Sequence, residues 1–424
     1  MRSVAAGSVR KMPRSSAEEF GGDCHEKHHI LVGVTSAQTC LVLPDRLMAL
    51  RGTGFRVSLL SAPGSLASQA TQIEGVTAYT VPMGRSISPI ADIAALFRIW
   101  RLLRRLMPDI VEFSTPKAGL LGCVAAWLCR IRVRVYFLRG LKLETSTGFK
   151  RRILLWAEQV ASFCSHVTLC NSRSLRERAL ELRIAPSSKL VLLGEGSSNG
   201  VDVTRFSPGA SEVRRQFGIS SAAPVIGFVG RLTADKGVPE LLEAFARILR
   251  ERPDAYLLLV GWFDAAEDAL GHELRRRIEG HPRIVHTGYV KSSAPFYRAM
   301  DLLVLPSWRE GFPNVVLEAA ASGIPVVAAT CTGARDAVIP EVTGLLVPPG
   351  YPEAISEAAL RLMGDSELRR RMSESARRWA VDHYDNRRVM KRAVRFYERL
   401  LNSTSATALV KEGAEETTGL PESL

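Results

Sequence analysis

The sequence lacks any run of 18 apolar residues, so no part of it is predicted to span a membrane. The basic residues near its start are not followed by an apolar segment before Asp23, and no secretory signal is expected. Its seven cysteines are odd in number and include no C-x2-C pair, which argues against disulfides and against a zinc site. Reduced, buried thiols and a cytosolic compartment are the interpretation that follows.

The second half of the chain has no excess of either charge. The net charge of +13 comes from residues 1–200, which hold 27 Lys and Arg against 14 Asp and Glu, whereas residues 201–424 hold 29 of each. No nucleic-acid motif accompanies the basic residues, so an anionic membrane surface is the predicted partner, with an ordinary soluble basic surface as the alternative. The densest basic stretch, with Glu144 as its only acid, comprises Arg130, Arg132, Arg134, Arg139, Lys142, Lys150, Arg151 and Arg152.

The length of 424 residues exceeds one ordinary core and suggests two or three domains. Residues 1–28 show no periodicity and are interpreted as a disordered leader, and the polar residues 403–424 as a mobile tail. Between them, apolar runs alternate with amphipathic stretches, which predicts an α/β protein with parallel sheets covered on both faces. Strands are predicted at 30–34, 57–60, 76–81, 110–113, 133–138, 167–170, 190–193, 225–229, 256–260, 284–286, 302–305, 325–328 and 344–347.

Helices are predicted between these strands. One of them, at 88–106, is expected to place apolar residues, among them Ile90, Ile93 and Phe97, on one side and four arginines on another. The stretch 193–202 nearly matches a dinucleotide-binding glycine pattern, but no helix follows it, and a hinge between two domains is the better interpretation. Helices are predicted at 44–51, 88–106, 117–130, 149–163, 237–251, 267–280, 293–299, 314–322, 333–338, 352–363, 366–383 and 386–402.

The stretch 306–323 carries the strongest indication of a binding site. An apolar run ends at Pro306 and a helix opens at Asn314, so Glu310 lies in the intervening loop and Glu318 lies about one turn inside the helix. The backbone N–H groups at the helix start favour a bound phosphate. Two carboxylates beside an anion site suit sugar hydroxyls, and a nucleotide sugar offers both groups. Solvated glutamates without a ligand are the alternative.

A second loop, residues 230–237, follows the first predicted strand of the second half. Gly230 permits close approach of a ligand to the backbone, and Arg231 and Lys236 bracket the loop. A guanidinium and an ammonium together can neutralise a diphosphate. No D-x-D pair of acids occurs in the sequence, so neither a metal ion nor another cofactor is predicted.

Glu310 and Glu318 are separated by seven residues, and this E-x7-E spacing within EGFPNVVLEAAASGIPVV resembles the motif of retaining GT-B glycosyltransferases of family 4, the glycosyl transferases group 1. The pattern G-R-L-x-x-x-K-G at 230–237 is similar to the diphosphate-binding loop of that family. The resemblance covers residues 30–400. It implies the GT-B fold, in which two doubly wound, Rossmann-like domains face a cleft and a C-terminal helix crosses back to the first domain.

The resemblance also implies a division of the chain and a set of site residues. An acceptor-binding domain would span 29–203, a nucleotide-sugar-binding domain 204–384, and the crossover helix 385–402. Arg231 and Lys236 would stabilise the leaving diphosphate, Glu310 would bind sugar hydroxyls, and Glu318 would bind the ribose. The remaining nucleotide-binding residues would be Gly230, Gly261, Tyr289, Val290, Gly311, Phe312, Asn314 and Val315, with no metal ligand.

The implied reaction is a retaining transfer from a nucleotide sugar, with UDP favoured by family habit. The segments STPKAGLLG and GEGSSNGVD look like the subgroup that extends polyprenyl-diphosphate-linked saccharides for exopolysaccharide, capsule or O-antigen at the cytoplasmic face of the inner membrane. Phe113 and Ser114 stand where many members have a histidine, which argues against a histidine role in acceptor binding. A sugar-nucleotide 2-epimerase and a non-catalytic sugar-nucleotide-binding protein are the alternatives. Lys117 is interpreted either as a contact for an acceptor phosphate or as a solvated residue of a helix start, and Arg335 either as a ligand-binding residue or as the structural partner of an acid.

Overall fold

The computed structural model describes residues 28–36, 39–40, 43–64, 73–84, 88–264 and 269–403. The predicted leader and tail lie outside these ranges apart from one residue each, since His28 begins the first strand and Ser403 follows the last helix. None of the helices in these ranges is long and apolar enough to cross a membrane.

The first half of the chain is built on a seven-stranded sheet. Its strands are β1 (His28–Gly33), β2 (Phe55–Ser61), β3 (Val76–Thr80), β4 (Ile110–Ser114), β5 (Val133–Leu138), β6 (Val167–Cys170) and β7 (Leu190–Leu192). They pair in parallel in the order β3-β2-β1-β4-β5-β6-β7, and Ile30 lies opposite both Val57 and Ile110. Near-continuous apolar runs suit a sheet that is buried on both faces.

Helices cover both faces of this sheet. They are α1 (Pro44–Gly52), α2 (Pro89–Leu106), α3 (Pro116–Leu128), α4 (Gly148–Cys164) and α5 (Arg173–Glu181). Residues of α2, α3, α4 and α5 share one buried apolar cluster, whereas α1 contributes to the cluster on the opposite face. The first half is therefore a doubly wound unit, as the alternation of strands and helices predicted.

The second half repeats this construction on a six-stranded parallel sheet. Its strands are β8 (Val225–Val229), β9 (Tyr256–Val260), β10 (Ile284–His286), β11 (Leu302–Leu305), β12 (Val326–Ala329) and β13 (Gly344–Val347), in the order β10-β9-β8-β11-β12-β13. Its helices are α6 (Val213–Gln216), α7 (Val238–Glu251), α8 (His272–Gly280), α9 (Ala294–Tyr297), α10 (Asn314–Ala321), α11 (Pro352–Gly364) and α12 (Ser366–Tyr384). Apolar clusters lie on both faces of this sheet too.

One predicted helix of the second half is wrong. Residues 333–338 form turns instead of a helix. Gly333 has a φ of +79°, outside the helical region, and a Cβ there would lie 2.0 Å from the carbonyl oxygen of Gly311. The segment is instead held by tertiary contacts, because Asp336 accepts a hydrogen bond from the backbone N–H of Ser174 at 2.8 Å.

The last helix, α13 (Asn386–Asn402), crosses back to the first half. Asp385 separates it from α12 with a non-helical backbone and caps the N–H of Arg387. The backbone of Val201 pairs with this junction, since its N–H donates to Tyr384 at 2.7 Å and its carbonyl accepts from Asn386 at 2.9 Å. The apolar side of α13 packs with strands of the first sheet through Val394, Phe396, Tyr397, Leu400 and Leu401. The predicted crossover is confirmed.

Candidate active site

A cleft of about 240 Å³ lies at the carboxyl ends of strands from both sheets. Parallel α/β sheets place ligand sites at this edge. Arg139 follows β5 and Asn171 follows β6 on one side, and Gly230 follows β8 on the other. The predicted site residues that line the cleft are Gly230, Lys236, Glu310, Phe312, Asn314 and Val315.

Lys236 and Glu310 form an ion pair in the cleft, with 2.6 Å between the Lys236 Nζ and the Glu310 Oε1. The two loops that carry them are in contact. Gly237 has a φ of +70°, and a Cβ there would lie 2.1 Å from the carbonyl oxygen of Pro306. Only glycine allows this close crossing. The crossing places the ammonium next to the carboxylate, although 74 positions separate the two residues in the chain.

Arg231 follows the cleft residue Gly230 but does not line the cleft itself, and it is paired with acids. Its Nη1 donates to Asp264 at 2.9 Å, and its Nη2 lies 3.9 Å from Asp235. Asp235 is buried and also accepts hydrogen bonds from Thr233 at 2.6 Å and Arg309 at 2.8 Å. Burial acts to raise the pKa of Asp235, but the Thr233 hydrogen bond and the surrounding cations hold that pKa below its usual value. Asp235 is therefore an ionised group that joins the two loops.

Gly230 and Gly261 lie against each other at the ends of β8 and β9. The N–H of Gly230 donates to Val260 at 2.9 Å, and a Cβ on Gly261 would lie 1.7 Å from the carbonyl oxygen of Gly230. The glycine at 261 is therefore required for packing between two loops. The proposed opening of space for a nucleotide stays a prediction.

The start of α10 faces the cleft. No side chain caps its first N–H groups, and the buried Oδ1 of Asn314 has no hydrogen-bond partner in the structure. Gly311, by contrast, packs on the other half of the molecule, because a Cβ there would lie 1.8 Å from the carbonyl oxygen of Arg139. The uncapped helix start retains donors that suit an anionic ligand.

Glu318 lies beyond the cleft-lining residues, within α10. Its Oε2 accepts hydrogen bonds from the hydroxyl of Tyr297 at 2.8 Å and that of Ser293 at 3.4 Å. Burial raises the pKa of Glu318 to about 7, although the hydrogen bond from Tyr297 opposes this shift. Since both bonds go to Oε2, Oε1 remains as an acceptor.

Tyr289 and Val290 follow β10 and do not line the cleft itself. Tyr289 is exposed and makes an edge contact with Trp262, with 5.7 Å between the ring centroids. Val290 packs against the apolar cluster that contains α10. A backbone bridge between Gly261 and Gly288 joins this segment to the end of β9. Tyr289 and Val290 therefore lie beside Gly261, and we call these two residues the shelf.

The cleft also contains residues that no sequence motif indicated as ligand-binding. Arg139, Asn171, Ser198 and Asn199 line it from the first half and the junction. Burial lowers the pKa of the Arg139 guanidinium to about 10, although Glu112 opposes this shift. The Nε of Arg139 and the Oδ1 of Asn171 have no hydrogen-bond partner. Arg139 and Asn171 could have been predicted from their positions directly after β5 and β6, because ligands bind at the carboxyl ends of strands in parallel sheets.

The dense basic stretch does not form a single surface. Arg139 lies in the cleft, while Arg134 donates to the carbonyl oxygens of Cys164 and Ile131 at 2.7 and 2.8 Å. Arg132 donates to the carbonyl of Leu401 at 2.6 Å, against the crossover helix. Several of these arginines therefore stabilise the fold of the first half.

Two residues of unassigned role have ion-pair partners. Lys117 contacts Asp92 with 2.6 Å between Nζ and Oδ1, at the start of α3. Arg335 contacts Glu177 at 2.9 Å, from the second half to the first. This contact supports a structural role for Arg335 as the partner of an acid. Beside it, Thr332 donates to Glu144 at 2.7 Å, so several contacts hold the two halves together next to the cleft.

Across the described ranges, no group of three or more His, Cys, Asp and Glu side chains is arranged to hold a metal ion. The six cysteines in these ranges are buried and carry free thiols.

Two family models match the chain. One, described as glycosyl transferases group 1, matches residues 223–365, and the other, a glycosyl transferase 4-like domain, matches residues 47–196. The chain is 30% identical to the capsular polysaccharide biosynthesis glycosyltransferase CapM of Staphylococcus aureus, over 88% of this chain and 97% of that protein. It is 27% identical to the UDP-Gal:alpha-D-GlcNAc-diphosphoundecaprenol alpha-1,3-galactosyltransferase of Escherichia coli, over 74% of this chain and 81% of that protein.

Solved structures share the architecture. Anabaena Alr3699/HepE in complex with UDP and glucose superimposes with a TM-score of 0.73 at 21% identity, covering 88% of this chain and all of that one. The expected GT-B fold of two Rossmann-like halves is confirmed. With the matches to both halves, the chain belongs to the glycosyl transferases group 1 family and is a glycosyltransferase.

Proposed function

We propose that the protein transfers a hexosyl or N-acetylhexosaminyl residue from a UDP-sugar to a hydroxyl of a polyprenyl-diphosphate-linked saccharide, with retention. The product would enter exopolysaccharide, capsule or O-antigen synthesis. Two relatives support this reading, since one is described for capsular polysaccharide biosynthesis and the other uses a diphosphoundecaprenol-linked acceptor. The UDP in the Anabaena complex supports the choice of nucleotide.

The pairing of Lys236 with Glu310 at 2.6 Å is the observation that carries this proposal. An ammonium beside an uncapped helix start suits a diphosphate, and a carboxylate suits sugar hydroxyls. A nucleotide sugar would exchange the ion pair for bonds from Lys236 to phosphate and from the sugar hydroxyls to Glu310. The pair therefore keeps both groups in place until the donor arrives.

The other predicted residues are assigned by their positions around this pair. Arg231 supplies a second cation from the same loop, and Glu318 accepts from the ribose through Oε1. The shelf of Tyr289 and Val290 binds the base by its main chain. The nucleotide sugar would thus bind residues 204–384, and the acceptor would bind residues 29–203. Gly230, Gly311, Phe312, Asn314 and Val315 complete the cradle, with Gly261 supporting Gly230.

The reaction we propose proceeds by departure and attack on the same face of the sugar. A double displacement needs one carboxylate as nucleophile and a second group as acid and base. Among the described residues that line the cleft, Glu310 is the only carboxylate, and it is paired with Lys236. The leaving phosphate oxygen would itself accept the proton of the acceptor hydroxyl. Lys236 and Arg231 would neutralise that oxygen without a metal ion.

We place the reaction in the cytoplasm, at the inner face of the membrane that holds the polyprenyl acceptor. The basic excess of residues 1–200 supports contact with an anionic membrane surface. Nucleic acid is not a proposed partner.

The proposed function is tested by incubating the protein with a panel of UDP- and GDP-sugars and with polyprenyl-diphosphate saccharides, followed by product mass. We expect one UDP-sugar to add a single sugar residue, in the absence and in the presence of a chelator. Transfer from GDP-sugars alone would contradict the choice of nucleotide. Conversion of the donor in the absence of acceptor would instead indicate a 2-epimerase.

The affinity for the selected donor is expected to rise as the pH increases from 6 to 8. Glu318 has a pKa of about 7, so it becomes a carboxylate over this range, and a carboxylate accepts stronger hydrogen bonds from hydroxyls than the neutral acid does. We expect a change of roughly threefold to tenfold in Kd, measured by calorimetry, since charge-assisted hydrogen bonds are about twice as strong. Glu318→Gln should flatten this dependence, whereas the exposed Glu243→Gln should not. An unchanged pH profile in Glu318→Gln would contradict the role at the ribose.

A further inference from the structure

The helix α2 has apolar side chains on its outward side as well as on the side that packs in the core, so the predicted separation of apolar residues from arginines is wrong. Ile90, Ile93 and Phe97 are 86%, 68% and 57% exposed, while Ile99 and Leu103 are fully buried. The last two turns of the same outer side carry Arg101, Arg104 and Arg105. The outer side of this helix is therefore apolar at its start and cationic at its end.

The outer side of α4 has a similar character. Phe149, Trp156 and Phe163 are 77%, 59% and 71% exposed. Their spacing of seven residues places them in one stripe along the helix, and Arg152 lies between them on the same side. The opposite side of α4 is buried through Ala157 and Ala161. A stripe of three aromatic rings is thus presented to solvent.

The two stripes belong to one layer of helices. α3 packs against α2 on one side and against α4 on the other, and it ends in the exposed residues Trp127 and Leu128. We call this surface the outer helical face. It consists of Ile90, Ile93, Phe97, Arg98, Arg101, Arg104, Arg105, Trp127, Leu128, Phe149, Arg152, Trp156 and Phe163.

The outer helical face has no exposed carboxylate of its own. The helices α2, α3 and α4 contain two acidic residues, Asp92 and Glu158. Asp92 is paired with Lys117 at 2.6 Å, and Glu158 is buried in a hydrogen bond with Tyr136. The charge presented outward is therefore of one sign, which complements an anionic surface.

We propose that the outer helical face binds an anionic lipid bilayer, with its apolar side chains inserted and its guanidinium groups at the level of the lipid phosphates. Exposed aromatic and aliphatic side chains mixed with arginine are the composition of interfacial membrane helices. A protein partner would need a large surface that is both acidic and apolar. An anionic bilayer provides anionic headgroups and an apolar interior over the whole area of the face. The proposal rests on the proposed function, because the lipid-linked acceptor would lie in the same membrane.

The position of this surface is compatible with access to the acceptor. α3 begins at Pro116, two residues after the end of β4, and so starts at the edge of the sheet where the cleft lies. A bilayer in contact with these helices lies beside that edge. The acceptor saccharide could then reach the cleft while its polyprenyl chain stays in the lipid.

Insertion of apolar side chains and attraction by the basic stretch alone would respond differently to salt. Attraction between exposed charges is screened at high salt, whereas burial of apolar side chains is not. Vesicles of phosphatidylcholine with 30% phosphatidylglycerol are the probe, by sedimentation at about 0.1 M and 0.5 M salt, where the Debye length falls from about 10 Å to about 4 Å. We expect the wild type to remain bound to these anionic vesicles at the higher salt concentration. We expect it to bind vesicles of phosphatidylcholine alone more weakly.

The triple variant Phe97→Ser, Phe149→Ser, Trp156→Ser should bind the anionic vesicles at least about tenfold more weakly at both salt concentrations. The matched control Val342→Ser, Tyr351→Ser alters similarly exposed residues of the second half and should bind as the wild type does. Equal binding by the triple variant and the wild type would overturn the proposal. So would wild-type binding that disappears fully at high salt.

Two further measurements keep the inference separate from the proposed function. Trp156 fluorescence should shift to shorter wavelength on addition of anionic vesicles, in a variant whose other five tryptophans are replaced by phenylalanine. Transfer to a short-chain, water-soluble acceptor should be equal in the wild type and in the triple variant. Normal transfer without vesicle binding by the wild type would overturn the membrane surface and leave the glycosyltransferase function in place. Vesicle binding without transfer to any acceptor would contradict the glycosyl transfer that we propose and would leave the membrane-binding surface in place.

Discussion

Replacing Lys236 with alanine is expected to lower turnover by about 10²–10³-fold, because one preorganised charge at the leaving oxygen is worth that much in related electrostatic sites. The ammonium is held 2.6 Å from Glu310 in the cleft, so it is already at the position that a diphosphate would occupy. Binding of the donor should weaken less than turnover, since the charge that develops on the leaving oxygen is greatest in the transition state. Steady-state kinetics with the selected donor and acceptor give kcat and KM separately.

Control variants must separate the loss of the Lys236 charge from effects on its ion-pair partner Glu310 and on the fold. Lys236→Ala leaves the carboxylate of Glu310 unpaired, so the double variant with Glu310→Gln is needed to distinguish a lost cation from a displaced glutamate. Glu310→Gln alone should keep the fold and damage use of the donor. The exposed Lys391→Ala on the crossover helix should leave turnover unchanged. Near-normal turnover in Lys236→Ala with the true acceptor would remove this residue from the catalytic group.

Replacing Glu112 with glutamine is expected to lower the free energy of unfolding by about 3–5 kcal/mol, the usual cost of removing one partner from a buried ion pair. Glu112 on β4 is fully buried and accepts from the Arg46 guanidinium at 2.5 Å. The hydroxyl of Tyr397, on the crossover helix, donates to the same carboxylate, and Arg139 lies 3.7 Å from its other oxygen. The substitution would leave two guanidinium groups buried without a counter-charge.

Urea denaturation followed by tryptophan fluorescence measures this loss. Because the protein has two halves, the transition of the first half is the one that should move to lower urea. The matched control is Glu341→Gln, which removes an acid from an exposed pair with Arg361 and should leave the midpoint unchanged. A midpoint for Glu112→Gln within error of the control would show that the buried network contributes nothing to stability.

Much of the architecture could be predicted because strands and helices are encoded locally. Each strand of the two sheets carries a short apolar run, and nearly every predicted strand lies within one or two residues of the observed one. The site loop could be predicted for the same reason. Glu310 and Glu318 fall within one contiguous stretch, and the loop that carries Lys236 is another such stretch.

The features that the sequence did not indicate depend on positions far apart in the chain. The turns at 333–338 follow contacts with Gly311 and Ser174, which local propensity does not report. The outward direction of Phe97 on α2 was not predictable either, since a periodic apolar stripe has the same pattern whether a sheet or a lipid surface covers it.

The class of fold, the family and the two loops that face the cleft follow from the sequence alone, because local periodicity and contiguous motifs do not depend on distant contacts. The pairing of charges was set by the tertiary structure. It joined Arg46, Glu112 and Tyr397 in one buried network and set Arg139 and Asn171 opposite Lys236. It also placed Glu318 against Tyr297, and burial there raises the carboxyl pKa to about 7. Pairing and burial depend on distance in space, and that distance arises only when both sheets and the crossover helix have assembled.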